Sequence, residues 1–526
     1  MRSSRFRPPL RPADLLPCAA DRDADSVALV TATAVLTYGE LERLSRRLAA
    51  ALQRRGIGPG DVVSLIGQNG WEWIVAYHGA LRCGAIVNPI NVMLSAPELA
   101  HVLNDCGSRA LIASAEQTEV AAAALALAPG VALHAEYGGD GTGAAIPMEV
   151  LLEDGTGSPL TRVGSAEDGL CAIVYTSGTT GHPKGAMQSH RAVLLNWALT
   201  ATMHARTAAD TLVTALPAAH VYGNVAINSI FLVGGEVVLM RRFEARKALN
   251  LIAARRATMF EGVPAMYAMM LADNALGGAD LNSLRVATVG GQTLSADMVE
   301  AWRRVTGVPM IQLWGMTEIA GLGATHSPWC PADPNSVGVA LPGVDVRIAA
   351  LDGSRNELPA GERGELQIRG PIVMLGYVGQ PEASRAALDG DGWLRTGDIA
   401  YQDGAGRLHV VDRAKDMIIT GGYNVYPAEI ERVLATHPQV SQVAVVGRPD
   451  PVRGEIAVAY VVAKPGSMPT AESIIDFCRG SLAAYKRPRE VMFLAGLPMT
   501  SSGKISRRNL KELATARDRD SAKDKP

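Results

Sequence analysis

The stretch YTSGTTGHPKGAM, residues 175–187, brings together residue types suited to holding a polyphosphate. Gly178, Gly181 and Gly185 let the backbone turn tightly and point amides inward. Thr176, Ser177, Thr179 and Thr180 add hydroxyl donors, and Lys184 adds a positive charge. The spacing is not that of a Walker A loop, because Pro183 precedes Lys184 and Gly185 follows it where Ser or Thr is required. No GxGxxG opens a βαβ unit either.

The elements that must position this loop are legible around it. Ala172–Tyr175 reads as a buried strand running into the loop, and Arg191–Thr200 as a helix leaving it. Further strands are expected at Val62–Ile66, Val237–Met240 and Val286–Val289, with helices at Tyr38–Arg54 and Ala296–Arg304. That alternation argues for α/β layers with largely parallel sheets. After roughly residue 340 short strands and turns take over, as in GELQIRG (364–370) and WLRTGD (393–398), which suits a small antiparallel subdomain.

A second change follows Asp412, Arg413, Lys415 and Asp416. Beyond them come the hairpin-like MIITGGYNVYP, a helix at Ala428–Ala435, strands near Gln442–Val446 and Ala457–Val462, a helix from Glu472 and a strand near Glu490–Leu494. The expectation is therefore a large N-terminal domain over 1–414, a small mobile α+β domain over 415–513, and a disordered charged tail over 514–526.

Composition narrows the partners. The chain has 526 residues with 50 Lys plus Arg against 52 Asp plus Glu, so it carries no broad field for a nucleic acid or an anionic membrane. The longest nearly unbroken apolar run, Val120 to Leu133, is too short and too interrupted by Pro129 and Gly130 to span a bilayer. No apolar segment follows the N-terminal arginines, so a cytoplasmic location is expected. The six cysteines are scattered without CxxC spacing, which points to buried free thiols and to neither a zinc site nor a disulfide framework.

YTSGTTGHPKG resembles the phosphate loop of the adenylate-forming (ANL) superfamily, which includes acyl-CoA synthetases, aryl-acid activating enzymes and firefly luciferases. Five more landmarks of that superfamily occur in order: LWGMTE (313–318), GELQIRG, WLRTGD, DRAKDMIITGGYNVYPAEIE (412–431) and PMTSSGKISR (498–507). The likeness runs from about Leu36 to Leu510, and six motifs in order are highly specific.

The resemblance implies an acid–thiol ligase that joins a carboxylate to the α-phosphate of ATP, expels pyrophosphate, and passes the acyl group to a thiol. It implies that Glu318 and Thr176 hold Mg²⁺, that Thr317 bonds the α-phosphate, and that Lys504 bridges the carboxylate and that phosphate. Asp398 would accept the ribose hydroxyls with Arg413 in support, and Trp314 would stack on adenine where tyrosine is usual. Gly291, Gln292 and Gly315 complete the expected nucleotide site. Lys415 matches the hinge on which the small domain turns, and Gly421 and Gly422 match the wall of a pantetheine tunnel. Taken singly, Glu318 is an ordinary surface charge, TGD an ordinary turn and Lys504 a loop lysine. Their order in the chain singles them out.

His220, in LPAAHVYG, matches a histidine bordering the acyl pocket; Val221, Tyr222, Asn224, Val263, Met266 and the segment Thr288–Thr293 should line the acid and adenine sites. These residues include no Arg or Lys to pair with a second carboxylate, so a hydrophobic monocarboxylic acid is expected. The run VGGQT is nearer to aryl-acid activating enzymes, whereas Val221 stands where those specific for 2-hydroxybenzoates have Asn. A fatty acid is slightly favoured and an aryl acid stays open. With no carrier domain after Leu510, free CoA is the simplest acceptor, and a separate carrier protein is the alternative. A non-enzymatic nucleotide-binding relative is disfavoured by the intact Lys504, Glu318, Thr317 and Asp398.

Overall fold

The alternating apolar segments assemble into two large sheets that share a layer of helices. The computed structural model describes residues 9–139, 144–164, 166–176, 183–291, 296–328, 333–352, 354, 356–420, 423–450, 453–499 and 505–514. One sheet has nine strands, with Met310–Met316, Val286–Val289, Met259–Gly262, Thr211–Thr214 and Glu236–Leu239 as its consecutive parallel centre. The other has eight, with Lys184–Ser189, Leu170–Thr176, Ile86–Ile90 and Val62–Ile66 side by side. Helices His190–Met203 and Val221–Val233 bury their faces in the main core together with residues from both sheets, such as Val63, Val87, Leu212 and Val286. Such two-sided burial explains strands written as continuous apolar runs, for example Val62–Ile66 with every residue buried.

The expected elements stand where the periodicity put them, to within a few residues at their ends. Tyr38–Arg54 is a helix started by a capping box between Thr37 and Glu40. The segment after residue 340 forms a four-stranded antiparallel sheet of Asp345–Ala349, Gly364–Arg369, Leu394–Gln402 and Leu408–Arg413.

Beyond it, strands Ile418–Thr420 and Tyr423–Val425 pair antiparallel, then helix Pro427–Ala435 leads into the long hairpin of Val440–Asp450 and Gly454–Ala463. Strand Glu490–Phe493 adds to that hairpin in parallel. This unit has its own core around Ile430, Leu434, Val445 and Val461. One expectation needs correction. The expected tail begins at Ala514, but residues 507–514 are helical, and Ala514 is buried with Leu510, one turn earlier, against Val446 and Tyr460. Residues 515–526 lie outside the described residues.

Among the described residues no helix is long and apolar enough to cross a membrane. Cys83, Cys106, Cys171 and Cys478 are buried free thiols, and burial pushes Cys83 up to about 12 and Cys106 and Cys478 up to about 11. Cys330 lies outside the described residues.

Candidate active site

Strand Met310–Met316 ends in a short 3₁₀ turn, Thr317–Ile319, that carries Thr317 and Glu318. The turn closes on Ala320, a non-glycine residue held in the left-handed region at φ +57°. Returning strand Gly321–Thr325 approaches so closely that a Cβ on Gly315 would lie 2.1 Å from the Gly321 carbonyl oxygen. A side chain at 315 is therefore excluded by the backbone itself.

Each carbonyl of the turn has a donor from a different part of the fold. Gln188 Nε2 donates to Thr317 O (2.8 Å), the Met374 amide to Glu318 O (2.8 Å) and Asn196 Nδ2 to Ile319 O (3.0 Å). Three anchors on a three-residue turn fix the direction of the Glu318 side chain. Glu318 is buried, and its Oε1 accepts a 2.9 Å hydrogen bond from the Tyr377 hydroxyl. Burial, reinforced by the adjacent carboxylate, raises the Tyr377 phenol above its ordinary pKa, so it stays a donor.

Tyr377 sits on the two-residue strand Gly376–Tyr377, which pairs with Lys184–Ser189. Lys184 Nζ lies 5.5 Å from the Tyr377 ring centroid, within cation–π range. Across the ladder Lys184 faces Thr176, so these two half-buried residues stand opposite each other at the base of the loop. The loop's tip, with Ser177, Gly178, Thr179, Thr180 and Gly181, lies outside the described residues.

Asp398 comes from the four-stranded sheet and is buried, at 2 % exposure. Arg413, its cross-strand partner, places Nε 2.5 Å from Oδ1, while the Trp314 indole N–H donates to Oδ2 at 2.8 Å. The structure thus brings Trp314, Asp398 and Arg413 together, with the tryptophan buried and bonded through its edge.

His220 caps helix Val221–Val233, its Nδ1 accepting from the Tyr222 amide at 3.2 Å. Two residues on from His220, the Tyr222 hydroxyl reaches across to Thr288 Oγ1 (2.9 Å), and the Tyr267 hydroxyl donates to the Thr288 carbonyl (2.6 Å). Burial drives both phenols well above their usual pKa. Val221 packs with Ala172 and Val174 of the strand leading into the loop. Asn224 accepts from the Trp197 indole (3.1 Å), and Val263 and Met266 are half-buried at the start of helix Pro264–Ala272.

Gly291 is exposed at φ +88°, and Gln292 lies outside the described residues. Lys415 is exposed on the 3₁₀ turn Ala414–Asp416. Asp416 at that turn faces Arg507 and Lys511, each 3.7 Å away. Gly421, Gly422 and Lys504 lie outside the described residues.

Tyr377, Gln188 and Asn196 escaped sequence reasoning. Gln188 and Asn196 carry one usable signal, since each is a polar residue on a buried face that must find a partner.

The profile of the family described as AMP-binding enzyme matches residues 17–378, and that of the AMP-binding enzyme C-terminal domain matches 429–504. A feruloyl-CoA synthase from Amycolatopsis sp is 38% identical over 89% of this chain and 92% of its own. The long-chain-fatty-acid–CoA ligase FadD13 of Mycobacterium tuberculosis is 36% identical over 91% and 93%. Among solved structures, the anthranilate CoA ligase AuaEII in complex with anthranoyl-AMP superimposes with a TM-score of 0.89 at 29% identity, covering 98% of this chain and 99% of that one.

Proposed function

Because the chain belongs to the AMP-binding enzyme family and is thus an adenylate-forming enzyme, we propose that it is an ATP-dependent ligase joining a hydrophobic monocarboxylic acid to CoA. The observation that carries the reading is the continuity around one strand end. Asp398 is held by Trp314; three residues beyond Trp314 comes Thr317 and then Glu318, held by Tyr377, whose ring underlies Lys184. Groups suited to a ribose, a metal-bound phosphate and a polyphosphate loop share one scaffold.

In the first half-reaction a substrate carboxylate oxygen attacks the α-phosphorus of ATP, and the bond to the β-phosphate bridging oxygen breaks to release pyrophosphate. Asp398 and Arg413 hold the ribose, Thr317 the α-phosphate, and Lys184 with the loop's amides and hydroxyls the leaving phosphates. Glu318 and Thr176 offer a carboxylate and a hydroxyl oxygen, which fit Mg²⁺. When bound, that ion neutralises charge on the phosphates. Lys504 supplies the cation between the attacking oxygen and the α-phosphate.

In the second half-reaction the CoA sulfur attacks the acyl carbon and AMP leaves. The unit beyond residue 414 turns about Lys415 to withdraw Lys504 and bring Gly421 and Gly422 to the thiol channel. The domain limits 1–414 and 415–513 belong to this proposal, and the separate core beyond residue 416 supports it.

A fatty acid is the first reading of the substrate. An aryl acid is the second, supported by the Tyr222–Thr288 hydrogen bond, which ties the proposed pocket's helix to its sheet. Pyrophosphate release over fatty, benzoic and cinnamic acids, with and without CoA, tests both. Release with no acid in the panel sinks the ligase reading, whereas adenylate formation without thioester from CoA moves the acceptor to a carrier protein.

A further inference from the structure

The geometry points to a role for Trp314 other than the one its motif implies: we propose that Trp314 is a positioning residue whose indole N–H sets the plane of the Asp398 carboxylate, so that selection for the ribose runs through the edge of this ring. The inference rests on the proposal that Asp398 receives the ribose hydroxyls.

Trp314 and Asp398 are 84 positions apart and come from different sheets, yet the 2.8 Å bond between them is buried at both ends. The carboxylate is gripped through both oxygens by donors on different strands, Arg413 Nε on Oδ1 and Trp314 Nε1 on Oδ2. Gripped at one oxygen it would rotate about its Cβ–Cγ bond; gripped at both it cannot.

The two grips are unequal. The Arg413 side chain is 44% exposed, so water screens and competes with it, whereas Trp314 is 7% exposed.

The ring itself is held in a cradle. A Cβ on Gly323 would lie 2.4 Å from the tryptophan Cζ3 and 2.7 Å from Ile319 Cδ1, so the returning strand is bare where the indole lies. Phenylalanine offers no donor at this place, and tyrosine carries its hydroxyl at the far end of the ring rather than on the edge that meets Asp398.

The experiment measures acid-dependent ATP–pyrophosphate exchange with ATP, 2′-deoxyATP and 3′-deoxyATP for the wild type, Trp314→Phe and Asp398→Asn, with calorimetric binding of the same nucleotides alongside. Trp314→Phe should raise the KM for ATP by about tenfold or more, the factor that accompanies loss of a hydrogen bond to a charged group. Its kcat should fall far less, and its penalty for the deoxy nucleotides should shrink. An unchanged deoxy penalty, whether the KM for ATP rises or not, overturns the inference and leaves the ring as a surface for the base alone. Should Trp314→Phe fold poorly, Trp314→His keeps an N–H on the ring edge and must retain more of the deoxy penalty than Trp314→Leu. Asp398→Asn separates the two levels. If it keeps the wild-type deoxy penalty, the ribose reading itself falls; if it loses the penalty while Trp314→Phe keeps it, only the role of Trp314 falls.

Discussion

Arg206 and Glu261 form an ion pair in the core, with side chains 0% and 1% exposed, beneath the helix that carries Tyr222. Arg206 also donates to Ala226 O (2.9 Å) and Ser229 Oγ (2.7 Å) on that helix and lies 3.1 Å from His204 Nδ1. Among the described residues Arg206 Nε and Glu261 Oε2 have no hydrogen-bond partner, so the pair is only partly satisfied. Removing one member of such a pair costs about 3–5 kcal/mol, while replacing both by apolar residues is often neutral. Glu261→Leu should therefore cost near the top of that range, because a stranded guanidinium cannot shed its charge. Arg206→Met should cost less as pH falls. A stranded carboxylate can take a proton, and His204, now held well below its ordinary pKa by burial and then by Arg206, loses its positive neighbour. Glu261→Leu has no such relief.

A chain with several cores does not unfold in one step, so the assay is native-state hydrogen exchange on peptides covering 221–233 and 259–262. The stated cost corresponds to exchange faster by roughly two to three and a half powers of ten. The double variant should regain most of the loss. Exchange less than about tenfold faster in Glu261→Leu, or a double variant no better than the worse single one, refutes the reasoning.

His78 is buried against Asn228 and lowered to about 3 by burial, so the folded state keeps it neutral where the unfolded chain takes up a proton. The stability it contributes is whole above the unfolded value near 6.5 and is lost as pH falls from there toward 3, about 1.4 kcal/mol per pH unit; hydrogen-exchange protection across helix Trp71–Cys83 should fall less steeply from pH 7 to 4 in His78→Gln. Tyr377→Phe deletes the hydrogen bond to Glu318 but keeps the ring near Lys184, so half-maximal exchange should need on the order of tenfold more Mg²⁺ with the KM for the acid unchanged; an unaltered Mg²⁺ titration contradicts this. Lys504→Ala should abolish exchange yet spare thioester formation from supplied acyl-adenylate, whereas Gly422→Leu should impair the thiol step more than exchange. Equal loss in both steps for either variant argues against the division of labour between the two conformations.

Most of the fold was readable because burial on both faces writes its signature locally. Val62–Ile66 and Val286–Val289 are apolar runs of strand length, and the Thr37–Glu40 capping box marks a helix start. The site was half readable. Asp398, Glu318 and Lys184 lie in short motifs whose order in the chain is informative. What holds them is not local: Tyr377 is 59 positions from Glu318, Gln188 is 129 from Thr317, and Asn196 is 123 from Ile319. No periodicity links such pairs. Trp314 shows the same limit from the other side. Its motif suggested a stacking face, but whether a ring works through face or edge depends on the bare backbone at Gly323 and on a carboxylate from another sheet.

The same division explains why the reaction is better defined than the acid. Adenylation chemistry is shared by every substrate, so it can be carried by contiguous motifs. Specificity needs a surface shaped to one substrate, and the residues proposed for that surface come from separate elements: Tyr222 from a helix and Thr288 from a strand, joined by a hydrogen bond, with the buried Arg206–Glu261 pair beside them. Thr214, Glu261 and Thr288 are consecutive register partners, so their side chains share one face of the nine-stranded sheet. That face carries polar atoms beneath a pocket expected to be apolar. Arg206 and Glu261 neutralise one another, which leaves no net charge there for a second carboxylate. The buried arginine therefore does not count against the proposed monocarboxylic acid, because Glu261 cancels its charge.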